Sequence, residues 1–236
     1  MKERKLTGHV VKQAFIRSLP VMAGYLVLGI GFGIVLHDAG YGVLWALAMS
    51  GLIYAGSMQY VGVSLLTGGA SILMTAVMTL LVNARHLFYS VAMIENYADA
   101  GSRKPYMIFG LTDETYSLLC NGDHPEGTDG PTFYFLVTLM DQCYWVLGSV
   151  IGALLGSVIT FNTAGIDFSM TALFVTTFTE QWLTTKRHAP AVIGIAVTAV
   201  CRVVFGRTYF LIPAMVGITA ILLLFRKGLD SEGGEE

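Results

Sequence analysis

SILMTAVMTLLVNARHLFYSVAM, residues 71–93, decides the class of fold. The segment is long and apolar enough to cross a lipid bilayer as a helix. A polar cluster of Asn83, Arg85 and His86 interrupts it near its middle. A charged side chain at membrane depth costs between ~3 and more than ~10 kcal/mol, depending on how far it can reach water. Two interpretations follow: Arg85 lines an internal polar site, or it ends a short helix and extends to the lipid headgroups.

The composition of the whole chain supports the membrane interpretation. The 236 residues are 54% hydrophobic and 13% charged, whereas ordinary soluble domains carry about 25% charged residues. Because helices satisfy their own backbone hydrogen bonds in lipid, the sequence predicts an all-α polytopic membrane protein. The net charge of −2 gives no indication of nucleic-acid binding. The cysteines show no metal-ligand spacing, and we expect no metal and no cofactor.

Further apolar segments lie on both sides of the opening stretch. The basic residues 1–17 place the N-terminus in the cytoplasm. The apolar segments are residues 19–36, 43–66, 71–93, 133–159, 170–183 and 189–225, the last long enough for two crossings. We therefore expect about seven transmembrane segments in a single transporter domain. Its parts are a first repeat at 19–93, a connecting region at 94–132, a second repeat at 133–215, and a last helix with a polar tail at 216–236.

The division into repeats depends on an internal similarity. Residues 25–36 and 144–155 are identical at six of twelve positions, with an offset of 119. Gln59 aligns with Gln181 and Arg85 with Arg207, both at an offset of 122. Repeats of this kind occur in secondary transporters, where broken helices line a site between the repeats. The sequence thus predicts two three-segment repeats, in an inverted arrangement, with broken helices near mid-membrane.

The charge distribution opposes the inverted arrangement. With three crossings in each repeat, Lys186 and Arg187 would lie outside, against the positive-inside tendency. A crossing by residues 106–119 would remove this conflict and make the repeats parallel. That segment is short for a span and carries Asp113 and Glu114.

Two other classes of membrane protein compete with a transporter. A membrane-embedded enzyme would need a nucleophile with a base, or paired metal ligands. The five histidines are scattered and neither HExxH nor GxSxG occurs. The sequence therefore favours a protein that is not an enzyme. A scaffold that only assembles with a partner is the other alternative, and a solute-uptake assay in vesicles separates the three.

Four motifs make the chain resemble the AzlC-type branched-chain amino acid permeases. They are Leu19-Pro20, YAGSMQYV at 54–61, NARH at 83–86 and FGLTDE at 109–114. The resemblance extends from about residue 15 to 225. It implies export of branched-chain amino acids, with methionine as a further substrate, across the bacterial inner membrane. It also implies a small hydrophobic partner subunit of the AzlD type. Relatives often carry Asp where this chain has Asn83, which puts proton coupling through that position in doubt.

A zwitterionic amino acid needs a cation for its carboxylate and acceptors for its ammonium group. Arg85 is the first candidate for the carboxylate, because its planar guanidinium matches that group. His86 titrates near neutrality and is the candidate carrier of a coupling proton. The predicted substrate-binding residues are Arg85, Gln59, Tyr60, Asn83, Gln181 and Arg207, and the predicted polar network is His86, Asp113 and Glu114.

Each of these assignments has a structural alternative. Gln59 is explained equally well by a buried hydrogen bond between helices. Arg85 and Asp113 could form an ion pair that only holds helices together. The glycines of the first apolar segment could serve internal packing or contact a partner helix.

Overall fold

The computed structural model describes residues 8–125, 128–158 and 188–225, with a few further residues between 175 and 183. It divides into two compact units, Met1–Thr171 and Ala172–Glu236. The described residues form helices and no strand. Helices of the first unit are α1 (Gly8–Asp38), α2 (Val43–Leu52), α3 (Gly56–Thr67), α4 (Ile72–Asn83), α5 (Arg85–Ala92), a 3₁₀ helix (Ala98–Arg103), α6 (Lys104–Phe109), α7 (Asp113–Leu119) and α8 (Gly130–Val158). Those of the second are α9 (Ala189–Tyr209) and α10 (Leu211–Leu224).

Three of the described helices are long and apolar enough to cross a membrane. They are Gly8–Asp38, Gly130–Val158 and Ala189–Gly206. The pair α4 and α5 adds a fourth candidate if it is counted as one span broken by a bend of 46°. The all-α membrane class is therefore supported, whereas the predicted seven segments in two repeats are not confirmed by these residues.

The helices α1 and α8 pack against each other along a row of glycines. A Cβ on Gly29 would lie 3.1 Å from the Cα of Gly148, and a Cβ on Gly33 would overlap the backbone of Gly152. Small residues let two helix backbones approach this closely in a membrane. The two segments that align in the sequence thus contact each other, and these four glycines serve internal packing.

The direction of these two helices corrects the inverted arrangement. Near one end of α1 the Ser18 hydroxyl lies 3.1 Å from the Tyr144 hydroxyl, and near the other end His37 contacts Gly156. Residue numbers rise together along both helices, so α1 and α8 run parallel. A two-fold axis in the membrane plane would make them antiparallel. The prediction of inverted repeats is therefore wrong for this pair of helices.

A first pair of short helices, α2 and α3, begins next to the C-terminal end of α1. The short turn at residues 39–42 connects α1 to α2, and a break at residues 53–55 separates α2 from α3. The helix α3 then returns along α1: the Tyr60 hydroxyl donates to the Leu28 carbonyl at 2.8 Å, and Val63 belongs to the same apolar cluster as Leu36. Tyr54 in the break has a φ of 44°, a left-handed conformation that is uncommon outside glycine.

A second pair of short helices, α6 and α7, begins at the opposite end of the two long helices, next to the N-terminus of α8. Arg103, just before α6, donates to a side chain in the first turn of α8. The break at residues 110–112 reaches the middle of α1, where Thr112 Oγ1 lies 2.6 Å from the Tyr25 hydroxyl. The helix α7 leads back, and the Leu118 carbonyl accepts two hydrogen bonds from Arg17.

The two breaks meet beside the middle of α1 and α8. The Tyr54 and Phe109 ring centroids are 6.3 Å apart. Gln142 of α8 links both pairs, since its Oε1 accepts from the Tyr106 hydroxyl at 2.6 Å and its Nε2 donates to the Gly51 carbonyl at 3.0 Å. Helices of six to twelve residues are too short to cross a bilayer of ~30 Å. Each pair therefore forms a helical hairpin with its break near mid-length of the long helices.

Candidate functional site

Arg85 lies at the break between α4 and α5, as the first residue of α5. Its Nη1 lies 2.5 Å from Asp113 Oδ2, and its Nη2 donates to Ser57 Oγ at 2.8 Å. Ser57 lies in the first turn of α3, and Asp113 is the first residue of α7. One guanidinium thus joins both helical hairpins to the broken pair α4–α5.

The ion pair is partly accessible. The side chains of Arg85 and Asp113 are 29% and 26% exposed, respectively. The structural ion pair foreseen as an alternative is therefore present, but its two charges are not sealed inside the core. A planar guanidinium can bind a second carboxylate without losing its charge. The geometry is compatible with either role.

Gln59 and Tyr60 are used inside the protein. Gln59 is fully buried; its Nε2 donates to Ser50 Oγ at 3.1 Å, and its Oε1 accepts from Trp145 Nε1 at 2.8 Å. The hydroxyl of Tyr60, as described above, donates to the Leu28 carbonyl. The structure thus shows the interhelical hydrogen bond that was the alternative for Gln59, and substrate binding by these two residues stays a prediction.

Asn83 and His86 flank the break. Asn83 ends α4, and its side-chain oxygen is buried without a hydrogen-bond partner among the described residues. His86 Nδ1 lies 3.2 Å from the Asn83 carbonyl oxygen, so the imidazole turns back onto the end of α4. Both residues are therefore near Arg85, with Asn83 offering an unused acceptor.

The two candidates from the second repeat are described only in part. Gln181 lies outside the described residues, and the Arg207 side chain does too, although its backbone is part of α9. Gly206, directly before Arg207, has a φ of 72° that interrupts α9. In the sequence alignment Gly206 falls on Ala84, so both aligned positions lie at helix breaks.

Glu114 points to a different neighbour from Asp113. Its Oε2 accepts a hydrogen bond from the Tyr25 hydroxyl at 2.8 Å. Thr112 caps α7 by accepting the backbone N–H of Thr115 at 3.2 Å. This cap fixes the first turn of α7 and with it the directions of both carboxyls.

The family of the chain is shown by its similarity to known proteins. A family model described as "AzlC protein" matches residues 20–159. The chain belongs to the AzlC family. It is 40% identical over 230 residues to the branched-chain amino acid transport protein AzlC of Bacillus subtilis, a match that covers 98% of this chain and 91% of that protein. The family predicted from the four motifs is confirmed.

Other relatives are membrane proteins. An uncharacterized membrane protein of Helicobacter pylori strain 26695 is 40% identical over 219 residues, covering 93% of this chain and 96% of the relative. The inner membrane protein YgaZ of Escherichia coli is 25% identical over 229 residues, covering 91% of each chain. No solved structure matches the chain. The names of the AzlC relatives support a membrane protein of amino acid transport and favour a transporter over an enzyme.

The AzlC match contains one buried acid that sequence reasoning missed. Asp141 is the single charged residue of α8 and is completely shielded from solvent. Its Oδ2 accepts a hydrogen bond from the Thr115 hydroxyl at 2.8 Å. The signal that identified Arg85, a charge inside an apolar run, was equally present at Asp141. Asp141 lies in none of the four motifs that carry the family resemblance.

Proposed function

We propose that this AzlC-family chain is a secondary transporter that exports branched-chain amino acids, with methionine as a further substrate. It acts as a multi-pass protein of the bacterial inner membrane and as the large subunit of a two-component permease. The observation that carries the proposal is the accessible Arg85–Asp113 pair, placed where both helical hairpins meet the broken pair α4–α5.

An ion pair has the charges that an amino acid zwitterion requires. The substrate carboxylate binds the Arg85 guanidinium in place of Asp113, and the released Asp113 carboxylate accepts the substrate ammonium. Both charges of the substrate are then paired, which offsets the loss of their hydration. Ser57 retains its hydrogen bond to Nη2 and keeps the guanidinium oriented.

Aromatic rings lie next to this pair and provide an apolar surface for the substrate side chain. The Tyr89 and Tyr116 rings stack with centroids 4.8 Å apart. Tyr89 follows Arg85 by four residues, and Tyr116 follows Asp113 by three, so each ring shares a helix face with one of the charges. A branched aliphatic side chain fits such a surface better than a polar one.

The small hydrophobic partner subunit is proposed from the family resemblance. The glycines Gly29, Gly33, Gly148 and Gly152 are occupied by the α1–α8 contact. A partner helix must therefore use another surface of the chain. Activity of the chain expressed with and without a small hydrophobic subunit of the AzlD type tests this. Full activity of a stable chain expressed without any companion contradicts the proposal.

The substrate site is tested by Arg85→Lys in proteoliposomes that contain the full chain and its partner. Lysine keeps the charge but loses the planar guanidinium, so leucine binding is expected to weaken by roughly tenfold or more while the protein stays folded. Arg103→Lys is the matched control, because that arginine also donates a hydrogen bond but lies outside the site. Its leucine affinity should match wild type.

Three outcomes contradict parts of the proposal. Normal leucine binding by well-expressed Arg85→Lys excludes a planar contact to the substrate. Leucine efflux that is absent from wild-type vesicles with the partner favours the scaffold or enzyme alternatives. Efflux of polar amino acids at the same rate as leucine removes the assigned role of the two tyrosines.

A further inference from the structure

A continuous chain of hydrogen bonds joins two carboxyl groups between α1, α7 and α8. The Tyr25 hydroxyl lies 2.8 Å from Glu114 Oε2 and 2.6 Å from Thr112 Oγ1. Thr112 Oγ1 lies 3.2 Å from Thr115 Oγ1, which in turn donates to Asp141 Oδ2 at 2.8 Å. Three hydroxyls thus connect the two carboxyls through four hydrogen bonds.

The row of four hydrogen bonds lacks one hydrogen atom if both carboxyls are ionised. Each hydroxyl carries a single hydrogen, so three hydroxyls can supply only three of the four hydrogen bonds. A proton on either carboxyl supplies the fourth. Thr112 Oγ1 also accepts a hydrogen bond from the Thr115 backbone N–H. Its second lone pair is still free to accept from Tyr25 or from Thr115 Oγ1, depending on the direction of the hydrogen bonds.

Burial favours the binding of a proton by one of the two carboxyls. Asp141 and Thr115 are fully buried, and Thr112 and Tyr25 are 7% and 5% exposed. Asp141 Oδ1 has no hydrogen-bond partner among the described residues. An ionised carboxylate is strongly disfavoured in such surroundings unless it is paired, and protonation removes that penalty.

We propose that Glu114 and Asp141 bind one proton between them and exchange it through the three hydroxyls. The site is thus a proton-binding site beside the middle of α1 and α8. Its role as the coupling site of an amino acid exporter rests on the proposed function above, whereas the shared proton itself does not.

The transfer conserves atoms and charge. With the proton on Glu114, all three hydroxyls donate towards Asp141. Transfer breaks the O–H bond at Glu114, forms one at Asp141, and reverses the direction of all four hydrogen bonds. One carboxylate is ionised before and after, so no other reactant takes part.

The Glu114 end of the chain adjoins the substrate site. Asp113 and Arg85 face Glu114, and the phenols of Tyr54 and Tyr106 face Asp141 from the hairpins. Tyr89 also faces the Glu114 end. A substrate ammonium at Asp113 adds positive charge beside Glu114 and favours its ionised form. Substrate binding thereby moves the proton to Asp141, which links the two events.

Infrared difference spectroscopy of the purified full-length chain tests the shared proton directly. The C=O stretch of a protonated carboxyl is followed as the pH is raised. Wild type should keep one protonated carboxyl well above pH ~4.3, the usual value for glutamic acid. In Asp141→Asn or Glu114→Gln the new amide N–H₂ supplies the fourth hydrogen, so the remaining carboxyl ionises and the band disappears.

The controls separate this effect from general damage. Glu95→Gln changes an exposed acid that takes no part in these four hydrogen bonds and should leave the band unchanged. Tyr25→Phe removes the hydroxyl next to Glu114 and should alter the titration. Tyr134→Phe removes another buried hydroxyl, which donates to the Gly122 carbonyl, and should leave the titration unchanged. A band that persists in both amide variants overturns the shared proton, as does its absence from wild type.

Transport measurements then test the coupling role. In proteoliposomes, Asp141→Asn should still exchange labelled for unlabelled leucine, but net leucine movement driven by a pH gradient should fall by about tenfold or more. Gradient-driven movement within twofold of wild type contradicts coupling through this site. If the infrared band behaves as expected but wild type moves no leucine, the proposed function fails and the proton-binding site stands.

Discussion

The two halves of the α1–α8 interface differ in what lies between the helices. Around Gly29 and Gly33 the two backbones touch, and no side chain fits between them. From Tyr25 towards the N-terminus of α1, the interface contains polar side chains, including Asp141, and contacts the breaks of both hairpins. Close glycine contact provides a rigid join in one half, and the other half is left for buried polar groups.

The largest effect is expected from disturbing the glycine half. Gly33→Val places a branched side chain where the backbone of Ser149 and Gly152 already lies. Overpacking of this kind costs about 1–3 kcal/mol where side chains can yield, and more against backbone. The thermal midpoint of the purified protein in detergent should therefore fall sharply.

Gly24→Ala is the matched control on the same helix. A Cβ at Gly24 meets no atom within 4 Å, so the midpoint should stay equal or rise slightly. An unchanged midpoint in Gly33→Val would mean that the two helices can separate at no cost, and the contrast between the halves would fail.

A smaller effect is expected at the boundary between the halves. Trp145→Phe retains the ring packing against Tyr25 but removes the N–H that donates to Gln59. A buried amide oxygen left without its donor costs about 1–3 kcal/mol of stability. Trp45→Phe is the control, because Trp45 is 51% exposed.

The same variant sharpens the assignment of Gln59. If Gln59 only joins helices, Trp145→Phe lowers the thermal midpoint and leaves leucine affinity unchanged. A loss of affinity at unchanged stability would instead support the prediction that Gln59 binds substrate.

The sequence was sufficient for those features that depend on local signals. Long apolar runs indicated the membrane class, short motifs indicated the family, and the alignment of residues 25–36 with 144–155 paired two segments that touch in the structure. The polarity of Arg85 within its segment likewise marked the break between α4 and α5. Each of these signals is contained in a few neighbouring residues.

Contacts between residues that are far apart in the sequence could not be predicted. Nothing local to Asp141 reveals that Thr115 donates to it. The left-handed Tyr54, which turns α2 into α3, carries no turn signal of its own. The inverted arrangement was preferred by analogy with other transporters, although the positions of Lys186 and Arg187 argued against it.

The smallest effect on stability is expected for the Arg85–Asp113 pair. The size of that effect decides whether the pair binds substrate or only holds helices together. A double-mutant cycle combines Arg85→Gln and Asp113→Asn and measures their interaction in the free energy of unfolding. Because both side chains are more than a quarter exposed, we expect an interaction of only about 0.2–1 kcal/mol. Each single variant should at the same time weaken leucine binding.

A buried structural pair would behave differently. Removal of one partner from such a pair leaves an unpaired charge in the interior and costs about 3–5 kcal/mol. An interaction of that size, together with normal leucine affinity, would mean that the pair holds α5 to α7 and does not bind substrate. A weak interaction with lost affinity would mean the reverse: the two charges pair only until a zwitterion separates them. Since Asp113 also faces Glu114, the same cycle repeated across pH shows whether the loosely held pair is linked to the buried proton.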